Sequence, residues 1–382
     1  PPPPPPGPGQ LAWRYPPVET SASGDAPLRG CPAVDSQGRV FVCSQHQLVM
    51  FPAGSPSPRW KYSTAGLIPR SPAIGPDGNV RVHSNDGCLH VVDLEGQAVF
   101  KPVAVGGPLG WASPLVDQQN QTWICRHDGG LIRVGPSGAT EARPFFRTRY
   151  RFDCTGLIVE DTLYIGCENH YVYAIPLHGE AGENKWAGSV ALGRTGCSIH
   201  CPLALADGPE LLVVSQDDRL YGFGLDGQSH WAVALPGKML CAPVVDDQGT
   251  IYAGLAQNPR DQAARGVLFA INGATHQIKW QYATAAPLEC TPVIGDDGIV
   301  YVGDNDGTVH AVDARGQRVW TTELRSAIRS AGVIIQPERV AFGLDDGSLA
   351  VLLCTSQRVA AKGWPKAHGT LGQSGWTPAS GG

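Results

Sequence analysis

The side chains of this sequence that could do chemistry are few and scattered. Cys197-Ser198-Ile199-His200-Cys201 places two thiols and an imidazole within five residues. These are zinc-ligand types, but a zinc site needs a third or fourth donor held in tetrahedral geometry. His83, His127 or His170 supplies it only if the fold brings one of them close. The simpler reading is a polar His beside small buried Cys, and no metal site is assigned on sequence grounds. Asp304-Asn305-Asp306-Gly307 opens like a calcium-binding loop but lacks the Glu at the twelfth position that would close it, so it reads as a hairpin turn. The carboxylate pairs Asp246-Asp247 and Asp296-Asp297 read as solvated turn residues. The signatures G-x-S-x-G, H-E-x-x-H and G-x-x-x-x-G-K do not occur. The chain therefore reads as non-catalytic.

The remaining candidates come one from each copy of an internal repeat. Residues 280–320 show it best. Thr291-Pro292-Val293-Ile294 is a short apolar run, and Asp297-Gly298 is a tight turn. Ile299-Val300-Tyr301-Val302 is rich in β-branched and aromatic residues, Asp306-Gly307 turns again, Val309–Asp313 alternates, and Gly316 leads to Trp320. That is a four-stranded antiparallel meander, and a fixed period of about 40 residues signals a propeller or solenoid. A small residue followed by Pro recurs at Pro32, Pro72, Pro114, Pro202, Pro243 and Pro292, with Gly156 and Gly332 standing in for it. Trp recurs at positions 13, 60, 186, 231, 280 and 320, with Phe100 and Phe145 as substitutes. Each indole is expected between neighbouring blades, where truncation to Ala would cost about 3–5 kcal/mol.

The string of S/T-P-x-I/V, D-G-x-V-Y-V-G, D-G-x-V-x-A-V-D and G-x-x-x-W resembles the pyrroloquinoline quinone-like (PQQ-like) β-propeller repeat over residues 13–365. The resemblance implies an all-β, eight-bladed β-propeller of four-stranded antiparallel blades. Relatives of this type include a propeller lipoprotein of outer-membrane assembly, which binds protein partners, sensor domains of bacterial kinases, and quinoprotein dehydrogenases. The resemblance thus implies a non-catalytic binding scaffold of the cell envelope or a sensor. The alternative is a PQQ-dependent alcohol or sugar dehydrogenase holding the quinone with calcium. Those enzymes stack the quinone on a disulfide between adjacent cysteines, and no two Cys are adjacent here. The expected cofactor is none.

In such a ring the first strand of each repeat lines the central channel, and the residues ahead of the marker gather at one mouth. They are Arg29, Arg70, Trp111, Asp153, His200, Lys238, Glu289 and Arg329. The slot varies while its small neighbours hardly change, which points to a role other than packing. The three arginines favour an anionic group, a small ligand or an acidic peptide segment of a protein partner, with Asp153 and Glu289 opposing that field. The simpler reading is that the collar neutralises itself around a water-filled channel.

The elements that position this collar set the domain reading: residues 1–9 are a proline-rich linker, 10–365 the propeller and 366–382 a tail. Gly9–Trp13 matches Gly316–Trp320, so the N-terminal strand is expected to complete the last blade, with Arg358–Trp364 a competitor for that place. Blade 4 is the most degenerate copy, and Ala256–Gly266 is a polar insertion in copy six. A net charge of −5 and a pI near 6.1 disfavour nucleic acid as a partner. No run is long and apolar enough to span a bilayer, and a monomeric propeller is expected. Eleven Cys make an odd count, and several occupy small-residue slots: Cys31, Cys154, Cys201, Cys241 and Cys290. They read as core fillers. The proline-rich start suits a periplasmic or extracellular location, whereas unpaired thiols leave the cytoplasm open.

Overall fold

The computed structural model describes residues 7–16, 28, 30–106, 110, 112–141, 143–186, 192–206, 208–256, 266–335, 337–361, 363, 366 and 376–377. Among them there is no helix, and eight four-stranded sheets are arranged around one channel. Blade 7 follows the repeat closely: Val293–Ile294, Val300–Gly303, Thr308–Val312 and Arg318–Glu323 pair in antiparallel succession from the channel outward. Blades 1, 2, 3, 5 and 6 have the same order, starting from Ala33–Val34, Ala73–Ile74, Leu115–Val116, Ala204–Ala206 and Val244–Val245. Second and third strands are buried on both faces, because each sheet packs against two neighbours. Outer strands alternate: in Arg318–Glu323, Trp320 and Thr322 are half-buried while Val319, Thr321 and Glu323 are exposed, as expected for a rim with one wet face.

Ring closure is achieved by the N-terminal strand. Leu11–Tyr15 pairs antiparallel with Leu349–Leu353 and completes blade 8, whose other strands are Val333–Ile335 and Arg339–Gly343. Blades 8 and 1 then share one apolar layer, in which Val333, Ile335 and Val351 meet Val34, Val42 and Phe51. This leaves no open sheet edge at the seam. The competitor segment has another place. Residues 355–360 strap the first turn of blade 7: the Thr355 and Ser356 hydroxyls donate to Asp297 at 2.6 Å each, and Ala360 N donates to the Ile294 carbonyl.

The blades are joined by one repeated contact. The indole of Trp60, Trp186 and Trp280 lies on Gly96, Gly227 and Gly316 of the following blade, where a Cβ would come within 2.8 Å of the ring. Those glycines have φ of 80–85°, so the turn geometry and the approaching ring both demand Gly. Each Nε1–H donates to a carbonyl beside that glycine: Leu94 at 2.9 Å, Leu225 at 3.3 Å and Ala314 at 2.9 Å. Phe100 meets Gly138 in the same way, and Trp320 meets Gly9, so the N-terminus provides the last joint of the ring. Trp231 is the variant: it stacks on His276 at 4.3 Å and donates to Glu210 at 2.8 Å. Phe145 is fully buried against Trp123 with the Arg133 guanidinium over its ring.

Two expectations need correction. Asp246, read as a solvated turn residue, is 9 % exposed; its carboxylate accepts the backbone N–H of Gln248 and Thr250 and the hydroxyl of Tyr252. Asp117 does the same with the Trp123 indole. These first-turn carboxylates are buried because a β-turn aims two N–H groups at the side chain that opens it. Blade 4 also departs from the plan. Leu157–Val159, Thr162–Gly166 and Val172–Pro176 pair as expected, but its fourth strand is Trp376–Thr377, running parallel on the channel edge of Leu157–Val159. Trp376–Thr377 therefore lie in the channel, and Lys366 is fully buried, its ammonium pushed down to about 7 by loss of water.

All eleven cysteines are free and nine are buried, the two half-exposed ones being Cys88 and Cys197. Burial raises the thiols, Cys154 to about 12 and Cys241 to about 11, as suits small core residues.

Candidate functional site

Chain direction fixes what meets at the mouth. Each outer strand returns across one face of the disc to the next inner strand, and each second turn lies on that same face. The far face carries the first and third turns. A cavity of about 200 Å³ opens at the mouth, and among the collar residues Arg70, Asp153, His200, Glu289 and Arg329 line it. Arg29 and Trp111 lie outside the described residues, as do 257–265 of the polar insertion. Lys238 does not line the cavity. It stands five residues before Pro243 where its counterparts stand two or three before their markers, and its side chain is exposed while its carbonyl accepts the Ala256 N–H. Leu240, 42 % exposed, takes its place on the wall.

The collar charges are paired with a second ring that the sequence reading passed over. Arg329 contacts Glu289 at 3.2 Å and also bonds Asp345, and Glu289 accepts from Asn305 at 2.7 Å. Asp153 faces His127 at 3.4 Å and His200 at 3.9 Å. Arg151 reaches Glu168 at 3.5 Å. Arg70 lies beside His83, a buried imidazole held down to about 4 by desolvation and by that positive charge. The Arg329 charge is thus offset by two carboxylates rather than left to attract an anion.

His127, Glu168, Asn305 and Asp345 occupy one repeated slot, the residue preceding the Asp or Asn of the second turn, as do Asn85 and Gln216. In Asn85, Glu168, Gln216, Asn305 and Asp345 the backbone N–H donates to the carbonyl four or five residues ahead of a marker: Leu67, Arg151, Ser198, Pro287 and Ala327. That bond pins the side chain against the collar. The slot was legible, since it varies next to an unvarying Asp-Gly just as the collar varies next to Pro.

Two mouth-side constellations look catalytic and are structural. Tyr62 OH bonds His90 Nδ1 at 3.0 Å and His90 Nε2 bonds Asp86 at 3.0 Å; Tyr282, His310 and Asp304 repeat this at 3.1 and 3.1 Å. In each, the tyrosine sits on the outer strand of one blade and the His on the third strand of the next, so the chain ties neighbouring blades together. Asp304 is 2 % exposed and also accepts the N–H of Asp306 and Thr308, which is the hairpin role expected of that turn. Cys197 and Cys201 do not join His200 as ligands: Cys201 is buried with its Sγ toward the Met239 carbonyl.

Among the described residues, exposed large apolar side chains fall in two places. Leu11, Val99, Ile278 and Val319 are spread around the rim, whereas Leu67, Tyr150 and Leu240 lie on the interblade connections of the mouth face.

A family model described as outer membrane protein assembly factor BamB matches residues 172–333 and 262–362. The crystal structure of BamB from Moraxella catarrhalis is similar with a TM-score of 0.69 at 18% identity, covering 90% of this chain and 99% of that one. The crystal structure of a computationally designed protein, Ika8, gives a TM-score of 0.67 at 13% identity over 86% of this chain and 99% of its own. These two likenesses show the fold. No curated protein matches the sequence.

Proposed function

The chain belongs to the family of the outer membrane protein assembly factor BamB, and on that premise we propose that it is a non-catalytic docking propeller of the cell envelope. Its partner is a protein of outer-membrane protein assembly, and it binds through the mouth face. The observation that carries this is the contrast on that face: Leu67, Tyr150 and Leu240 stay exposed on connections whose backbone is pinned by the second turns. Exposed aromatic and aliphatic anchors on a rigid polar rim are what a protein interface uses. The cavity supports a macromolecular partner over a cofactor, because about 200 Å³ is less than the roughly 300–1,000 Å³ of small-molecule sites. The self-paired collar supports it as well, since such charges set register and on-rate more than affinity.

The test is binding of the purified chain to the purified outer-membrane assembly machinery of its own cell, measured by interferometry. Tyr150→Glu and Leu240→Glu are expected to weaken binding by tenfold or more, while Ile278→Glu and Val319→Glu on the rim leave it unchanged. Equal losses on both surfaces, or no binding by the unaltered chain, would overturn the reading. Spectral binding of a tricyclic quinone with calcium at micromolar concentration would revive the dehydrogenase alternative.

A further inference from the structure

We propose that the mouth carries a divalent transition-metal site formed by His127, Asp153, Glu168 and His200, with zinc as the fitting ion. Three blades supply it. His127 comes from the second turn of blade 3, Asp153 and Glu168 from the collar and second turn of blade 4, and His200 from the collar of blade 5. One ligand atom each of Asp153, Glu168 and His200 lies within 4.8 Å of the other two. His127 Nδ1 stands 3.4 Å from Asp153 Oδ1, and His200 Nδ1 stands 3.9 Å from Asp153 Oδ2. Two donors at 2.0–2.2 Å from one zinc ion are about 3.0–3.6 Å apart, so these separations are near those of a shared ion.

Asp153 provides the independent sign of a ligand. Its side chain is 10 % exposed, and its Oδ1 is buried without accepting any hydrogen bond. A buried carboxylate oxygen normally has a partner, and its absence calls for an explanation. An ion between the two imidazoles and the carboxylates satisfies that oxygen. The donor set also selects the metal. Two imidazoles disfavour calcium and magnesium, which take oxygen ligands, and suit zinc, nickel or copper. Two carboxylates balance the 2+ charge of the ion, so the site is neutral when filled.

Second contacts fix the ligands in place. Glu168 N donates to the Arg151 carbonyl, and Ser198 Oγ donates to the Glu168 carbonyl, which ties the blade 4 turn to the blade 5 connection. Arg151 at 3.5 Å from Glu168 is the competing cation. Glu168 has the longest side chain of the four and makes the largest adjustment on binding. Filling the site would cross-link blades 3, 4 and 5. The inference does not depend on the docking reading, because it concerns ion binding by the isolated chain.

The experiment is titration of the chelator-stripped full chain with zinc against a chromophoric competitor, together with cobalt spectroscopy. One equivalent is expected to bind with a dissociation constant below about 1 µM, to raise the melting temperature by mass action, and to give cobalt d–d bands of a four-coordinate nitrogen and oxygen site. Asp153→Asn and His200→Gln should each weaken binding by roughly 100-fold, of the order seen when metal-site groups are removed. Both changes are nearly isosteric and lie at the mouth, and unchanged far-UV dichroism verifies the fold. His127→Gln is the second variant, with the same loss expected. His230→Gln, on the outer strand of blade 5, should have no effect. No stoichiometric uptake, or uptake unaltered in the Asp153→Asn/His200→Gln double variant, would overturn the site.

Discussion

The two faces of the disc obey different rules. On the far face most joints are repetitions. A turn carboxylate accepts two backbone N–H groups, as at Asp117 and Asp246, and an indole is seated on the glycine of the next blade at Trp60, Trp186 and Trp280. On the mouth face the backbone bonds repeat while the side chains differ from blade to blade. Arg329, Glu289 and Asp345 form one arrangement and Asp153, His127, Glu168 and His200 another. A ring must close, so the contacts that set the angle between blades tolerate little change. Once they are fixed, the opposite face can vary without cost to the fold, and binding groups collect there.

Breaking the far-face rule should have the largest effects. Deleting residues 1–16 removes the strand Leu11–Tyr15 and the Gly9 seat of Trp320. Calorimetry is expected to show a lower melting temperature than for any single substitution, and light scattering should show association through the bared edge of Leu349–Leu353. An equally stable, monomeric truncation would contradict closure by this strand. Next comes Trp280→Ala, which empties the space over Gly316 and leaves the Ala314 carbonyl without its donor. About 3 kcal/mol should be lost in denaturant unfolding. Gly316→Ala should also destabilise, because its φ is 80° and the indole stands 2.7 Å from the added Cβ.

Acid should act on one mouth-side group before the carboxylates respond. His83 is fully buried and its folded value, about 4, is below the 6.5 of an unfolded His. Below 6.5 the unfolded chain binds the proton and the folded chain does not, so stability falls as pH drops from about 6.5 to about 4 and levels off there. The loss is of the order of 3 kcal/mol. His83→Phe should flatten that part of the profile. The Asp77 and Asp86 carboxylates, held below 3.8, withdraw their support at still lower pH.

The smallest effects belong to the mouth. Tyr282→Phe deletes the hydroxyl that reaches His310 and should cost about 1 kcal/mol. Tyr150→Ser and Leu240→Ser, at exposed positions, should alter stability by less than about 0.5 kcal/mol. A loss of several kcal/mol at these two positions would mean that the mouth packs as strictly as the far face.

The sequence made the far face legible because repetition reveals what packing demands. The Pro, Asp-Gly and Trp marks gave eight inner strands, and the match of Gly9–Trp13 to Gly316–Trp320 gave the closure. The mouth was legible in part. Arg70, Asp153, His200, Glu289 and Arg329 were found by their slot, but Lys238 was misplaced, because the connection before Pro243 has Leu240 where a polar residue was sought. His127 was named only as a conceivable donor to the Cys197–Cys201 run and Glu168 was not singled out, since no local spacing records that either stands beside Asp153. The parallel pairing of Trp376–Thr377 inside the channel had no signal at all. Two residues beside an inner strand carry no period, turn or cap that could announce them.

The central claim is that partners dock on the varied face and leave the repeated face alone. Hydrogen–deuterium exchange of the chain, free and bound to the outer-membrane assembly machinery, tests it most directly. The account predicts slowed exchange in residues 64–69, 148–152 and 235–241, with the turns at Gly96, Gly227 and Gly316 unchanged. Protection centred on those three glycine turns, with the mouth connections exchanging as in the free chain, would contradict it.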